Sequence, residues 1–476
     1  MHQRVMLACL AGSLLISSCK EGALLQNLAP DTHMSIEKID RTGENRLNTS
    51  VYLSWFGTDK DGHVVAYEFS MDQTTWHKTT ERDSVFRFSI DPGQDTTDID
   101  FYVRSIDNDG LADPSPAYLK VPLRNAPPEV HFEAKSFPAD TAFSVVTFRW
   151  NFSDPDGNHT VTKAHFKINE GPWLEIDRSK FMISLRAQDT KAAGSVKSDL
   201  FYNTEREASE TIDGLVNEGR NTLYLKVTDL AGSESEVDTS SIIYVKRQTS
   251  DLLLISGQPP AVNAIYRKLV SNSYGQIDAV DFALDNGQYQ PRFWSPTFTL
   301  LTELYDKLVF NCDQSLFTNP INGQSGLLLE FAAEVLQNYT DGGGKSFITT
   351  SFPSGFNPET IRGALPVDSL SRTSGQAVIS NDSTIYSSNV DYPTMSPSNL
   401  MLGVDPFIPT VDASPIYRAK LTKYGAWAGP DIVGAVRKTG GKTKQIFFSV
   451  ELYLFNKEPA KLQQLFDQVL QKEFNW

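Results

Sequence analysis

Three carboxylate pairs set on glycine turns are the first residues able to do chemistry: Asp59-x-Asp61-Gly62, Asp107-x-Asp109-Gly110 and Asp154-x-Asp156-Gly157. Clustered carboxylate oxygens suit calcium. No glutamate closes a twelve-residue loop as an EF-hand requires. The same residues suit tight turns, because aspartate bonds its own backbone and glycine tolerates positive φ. A second set falls where strands of the C-terminal half are expected to end: Ser256, Gly257, Asn311, Asp313, Ser351 and Glu451. Asp313 and Glu451 are a candidate carboxylate pair for acid-base or glycosidic work, with turn and capping roles as the plainer reading. Trp427, in a long aromatic-bearing segment, is a further candidate for a ligand pocket.

Histidine sets a limit on that chemistry. The seven histidines stand at positions 2, 33, 63, 77, 131, 159 and 165, so none lies in the C-terminal half. A serine or cysteine nucleophile needs an imidazole, or an equivalent base, to take its proton near neutral pH. Cys312 follows an apolar run and reads as a small buried hydrophobe. With Cys9 and Cys19 assigned to a leader, Cys312 has no disulfide partner.

The elements that must hold these residues follow from periodicity. Val51, Leu53 and Trp55 alternate with Tyr52 and Ser54, the mark of a half-buried strand. The block Trp55 to Gly62 returns as Trp150 to Gly157, and Tyr102 to Gly110 returns as Tyr224 to Gly232. The opening tryptophans are 95 positions apart, about one sandwich domain. An insertion of loose apolar spacing is expected in Lys180–Thr211, a stiff joint at Ala126-Pro127-Pro128 and another joint at Lys246–Ser250. The pattern then changes. Leu252–Ser256 is a continuous apolar run, as in a strand buried on both faces. Helical spacing over 261–271, strands at 277–282, 305–311, 345–350 and 445–450, and helices at 327–340 and 459–474 predict an α/β doubly wound domain. The segment 352–441 reads as long and irregular; its aromatics Tyr392, Phe407, Tyr417, Tyr424 and Trp427 either stack on a ligand or pack as a local core.

Two resemblances arise from these residues. The repeated Trp and Tyr-x-(Val/Leu) blocks over 31–247 resemble tandem fibronectin type III or immunoglobulin-like domains. Tyr305–Val309, the helix ending Asn338–Lys345 and Ile446–Glu451 resemble the class I glutamine amidotransferase-like fold. That likeness implies a Gly-x-Cys-x-Gly elbow after the fourth strand. The matching stretch reads Thr349-Thr350-Ser351-Phe352-Pro353, with serine where cysteine would stand and neither glycine. The resemblance therefore implies a catalytically empty module.

The N-terminus carries an address. Arg4, the apolar run Val5–Ile16 and the small residues before Cys19 make a secretory signal, and Leu15–Cys19 resembles a lipobox. This implies Cys19 as the lipidated first residue of a Bacteroidota-type outer-membrane lipoprotein, with Lys20-Glu21 resembling a surface-export signal. Asp83-Ser84-Val85, Asp140-Thr141-Ala142 and Asp368-Ser369-Leu370 resemble the O-glycosylation triads of such proteins. The expected organisation is a signal at 1–18, a tether at 19–30, sandwiches at 31–125 and 126–247, and the α/β domain at 251–476. The net charge of −15 over 476 residues excludes nucleic acid as a partner. The expected roles, in order, are a non-enzymatic protein-binding subunit of a β-barrel-associated envelope assembly, a glycan-binding lipoprotein for polysaccharide uptake, and a hydrolase using Asp313 and Glu451. No cofactor is expected beyond calcium at the aspartate turns.

Overall fold

The computed structural model describes residues 26–38, 41–42, 46–47, 49–283, 291–353, 356–370 and 375–475. Cys19 and the leader lie outside them. Among the described residues no helix is long and apolar enough to cross a membrane. The chain divides into two compact units, 1–126 and 127–476.

The first unit is a β-sandwich. One sheet holds Asp31–Lys38, Ser50–Thr58 and Asp83–Arg87, and the other is built around Val64–Ser70, Thr96–Asp107 and Ala117–Arg124. The alternation read from the sequence is what closes it. Val51, Leu53 and Trp55 point inward from one sheet, and Phe101, Val103 and Val121 meet them from the other. Trp55 also satisfies its indole N–H by donating to the Glu81 carbonyl at 2.9 Å.

The second unit opens with another sandwich, and the repeated tryptophan does the same work there. Trp150 is 1% exposed, and its indole N–H donates to the Lys180 carbonyl at 2.8 Å. The span 180–211 is ordered as strand. It supplies the strands Met182–Ala187 and Gly194–Tyr202 to a five-stranded sheet. Its apolar spacing is irregular because the strand is covered on both sides. Ile183 and Leu185 face the sandwich core, while Ser184 bonds Thr147, whose hydroxyl in turn meets Thr297 of the following domain at 2.6 Å.

An eight-stranded mixed sheet follows. Its strands are β1 (Leu252–Gly257), β2 (Asp278–Asp281), β3 (Lys307–Cys312), β4 (Lys345–Thr349), β5 (Ile385–Tyr386), β6 (Ala413–Ala419), β7 (Ile432–Thr439) and β8 (Lys442–Phe448). They lie in the order β2-β1-β3-β4-β8-β7-β6-β5. The first five in that order are parallel and the remaining three antiparallel. Helices α1 (Pro260–Tyr274) and α3 (Pro459–Asp467) cover one face, where Leu254, Val309 and Phe347 point. Helix α2 (Leu328–Asp341) covers the other, over Ile255, Phe310 and Ile348. Both faces being buried is why the parallel strands read as unbroken apolar runs. α1 begins on Pro260, which needs no N–H partner there, and stops at Gly275 with φ +93°. In α2 the Glu330 carboxylate accepts the Leu327 N–H at 3.1 Å.

The second sandwich and this α/β domain share one apolar core. Phe143, Val145 and Phe201 of the sandwich pack in the same cluster as Phe298, Leu301 and Tyr305. Arg206 pairs with Glu303 at 2.9 Å, and the Gln248 amide donates to the Leu304 carbonyl at 2.7 Å.

Candidate functional site

Parallel pairing brings the carboxyl ends of β1, β3, β4 and β8 to one edge. Ser256 stands beside Asn311 in register, and Asn311 beside Thr349. Such edges are where open α/β sheets hold ligands. Ser256 Oγ donates to Asn311 Oδ1 at 3.0 Å. Three residues past the end of β8, Glu451 takes two bonds: Ser351 Oγ donates to its Oε1 at 2.7 Å, and the Gln258 amide to its Oε2 at 3.4 Å. Burial pushes the Glu451 carboxyl above the usual carboxylate range, the Asp313 charge adds to that, and the two hydrogen bonds oppose it.

A cleft of about 160 Å³ opens over this pair. Its floor is polar: Ser351, Ser449, Glu451 and Gln314. Its wall is apolar: Leu400, Leu402, Val404 and Leu454. Ser449 is 2% exposed, and its Oγ has no hydrogen-bond partner among the described residues. The same holds for Asn311 Nδ2 and Gln258 Oε1. Cys312 lies one strand inward, its Sγ 3.2 Å from Thr350 Oγ1. Burial pushes its thiol up to about 12.

Of the residues singled out in the sequence, Ser351 and Glu451 meet directly. Ser256 and Asn311 pair with each other, and Asp313 reaches Glu451 through charge while its Oδ1 accepts the Ser315 N–H. Trp427 does not line this cleft. It follows the strand Thr422–Gly425, which pairs with Gly375–Val378 outside the large sheet. Trp294 offers no free platform either, since its ring is stacked between Phe282 and Phe331 at 5.2 and 5.7 Å. Tyr392, Phe407 and Tyr417 are buried as local core, and Tyr424 is exposed. Sequence reasoning missed Gln258, Gln314 and Ser449. Gln258 and Gln314 each follow a flagged residue, so carrying the same rule one residue further would have found them, whereas Ser449 fell inside the expected strand 445–450, which in fact ends at Phe448. The Leu400–Val404 wall had no periodic signal.

The aspartate turns spend oxygens on both backbone and side-chain donors. Asp107 Oδ1 accepts the N–H groups of Asp109 and Leu111, and its Oδ2 takes the Asn27 amide. Asp154 Oδ1 accepts the Asp156 N–H, and its Oδ2 takes the Thr160 hydroxyl. Asp59 Oδ1 accepts the Asp61 N–H, and Asp61 Oδ2 the Leu28 N–H. Asp109 Oδ1 takes the Asn108 amide. Among the described residues no three ligand-type side chains converge to hold a metal. These bonds are the ones tight turns ask of aspartate, while Asp59 Oδ2 is buried without a hydrogen-bond partner among the described residues.

No family model matches the chain, and no curated protein matches it. Solved structures do. The chain is similar to the fibronectin(III)-like modules of Clostridium thermocellum CbhA, at 15% identity over 45% of this chain and 94% of that one, TM-score 0.18. It is similar to a two-domain fibronectin type III segment of chicken tenascin, at 12% identity over 46% and 99%, TM-score 0.22. It is also similar to the PKD1 domain of Vibrio anguillarum Epp, at 15% identity over 21% and 99%, TM-score 0.15. Scores this low carry no argument about function; the two sandwiches rest on their own sheets.

Proposed function

We propose that this chain is a lipid-anchored envelope protein whose C-terminal α/β domain binds and does not catalyse. In this reading Cys19 carries the lipid at the outer membrane, on the cell surface, and the two sandwiches are fibronectin type III- or immunoglobulin-like. The last domain is a flavodoxin-ordered, amidotransferase-like module that serves as a protein-binding subunit of an envelope assembly around a β-barrel. The order β2-β1-β3-β4-β8 of its parallel strands, which is 2-1-3-4-5 when the parallel strands alone are counted along the chain, supports that kinship. The reading needs no cofactor.

The observation that carries the binding role is the state of the two nucleophile candidates. Ser351 donates its hydroxyl to Glu451 and has no imidazole anywhere in residues 251–476 to take its proton, and Cys312 is buried with a thiol pushed up to about 12. Neither is poised for attack at neutral pH. The test is a mild-detergent pull-down of the native lipoprotein with mass spectrometry of what accompanies it. A β-barrel or other envelope protein is expected in stoichiometric amount, and its absence removes the assembly reading. Hydrolysis of ester or glycoside substrates by the intact chain, lost on Glu451→Gln, would replace binding with the carboxylate-pair hydrolase.

A further inference from the structure

We infer that the Ser351–Ser449–Glu451 cleft is a receptor for a primary ammonium group borne on a short aliphatic chain. This rests on reading the domain as a binding module. The lining residues include one ionisable group, Glu451, and Asp313 adds a second negative charge nearby. The described lining residues include no lysine, arginine or histidine, so an anion meets only repulsion here. The polar floor is rich in acceptors. Glu451 presents its carboxylate, Ser351 Oγ has lone pairs left after donating to it, and Ser449 Oγ is buried without a partner. An ammonium has three donors and no acceptor, which suits a floor whose side chains offer carboxylate and hydroxyl oxygens. The unpartnered Ser449 hydroxyl is the independent sign of a ligand, because a buried polar atom without a hydrogen bond is costly.

The wall selects the rest of the ligand. Leu400 and Leu402 are 53% and 67% exposed, and Val404 and Leu454 continue the surface inward. A few methylenes laid against them would cover apolar surface now open to water. A cavity of about 160 Å³ admits an alkyl chain of that length and no large ring system. The head would form charge-assisted bonds to an ionised Glu451, stronger than neutral ones.

The test is calorimetric titration of the full chain with n-butylammonium chloride, n-butanol and sodium butyrate. Butylammonium should bind, with butanol and butyrate weaker by about tenfold or more, since hydrogen bonds to a charged partner account for at least that factor. Glu451→Gln should weaken butylammonium by a similar factor with an unchanged far-ultraviolet spectrum, and Ser449→Ala should weaken it severalfold. Nα-acetyl-lysine methylamide separates the two sources of the group. Binding as tight as butylammonium assigns a lysine side chain, and much weaker binding assigns a free amine. Butylammonium failing to bind, or binding Glu451→Gln and Ser449→Ala as well as the native chain, overturns the inference. An empty pull-down with intact amine binding removes only the envelope assembly.

Discussion

Ser351 Oγ lies 2.7 Å from Glu451 Oε1, a contact between residues one hundred positions apart. It exists because β4 and β8 are parallel neighbours whose carboxyl ends stop at the same edge. The hydrogen bond favours the ionised carboxyl, while burial and Asp313 favour the protonated one, and burial is the largest influence.

That balance gives a pH signature. Below the ordinary glutamate value of 4.5, folded and unfolded chains both hold the proton and Glu451 contributes nothing. As pH rises past it the unfolded chain ionises first, so the folded state loses stability until the raised folded value is passed. The groups facing this carboxyl are Ser351, Gln258, Asp313, Cys312, Tyr266 and Tyr453. Urea midpoints for the native chain and Glu451→Gln should therefore diverge above pH 4.5, the variant gaining relative stability. A difference flat from pH 4 to 8 contradicts the burial assigned here.

Each repeated tryptophan anchors its sandwich twice, by packing and by its indole N–H. Trp150→Phe should keep most of the packing and leave the part-buried Lys180 carbonyl without that donor, costing about 0.5–1.5 kcal/mol. Trp150→Ala should cost about 3–5 kcal/mol. Chemical denaturation followed by circular dichroism reads both, and equal losses for the two variants would show that the hydrogen bond contributes little beyond packing.

Phe143 belongs to the sandwich by sequence and to the α/β core by contact. Phe143→Ala should destabilise residues 127–476 as one body, by about 3–5 kcal/mol. Hydrogen exchange should then show protection falling both in Met182–Ala187 and in β3. Loss confined to the sandwich would mean the shared core does not couple the two parts.

Cys312 should be inert in the folded chain. With the thiol pushed up to about 12, the reactive thiolate is scarce at pH 7.5, and the residue is 1% exposed. Peptide mass spectrometry after iodoacetamide should find Cys312 unmodified in native protein and modified in denaturant. Native labelling at a comparable rate would refute its burial.

Where side chains alternated or ran unbroken, the sequence was enough. Val51-x-Leu53-x-Trp55 and Leu252–Ser256 led to strands, and Leu328 to Tyr339 to a helix, because one local period names both the element and its buried face. Ser351 and Glu451 could be flagged because strand ends are local too. Their contact could not, since it depends on which strands are neighbours. β5, β6 and β7 were hidden within 352–441. They form the antiparallel margin of the sheet, where β5 is only two residues long and bulges at Tyr417 and Lys438 blur the two-residue period. The strand Met182–Ala187 was obscured by covering on both sides, which removes the polar alternation that marks a sandwich strand.

The joint core around Phe143, Phe201, Phe298 and Tyr305 makes the seam at residues 246–252 a misleading place to cut. A fragment ending or starting there would carry a greasy scar as broad as the joint itself. Expression trials that trim the chain at that point should yield aggregates, whereas the piece that travels intact runs from Pro127 to the C-terminus.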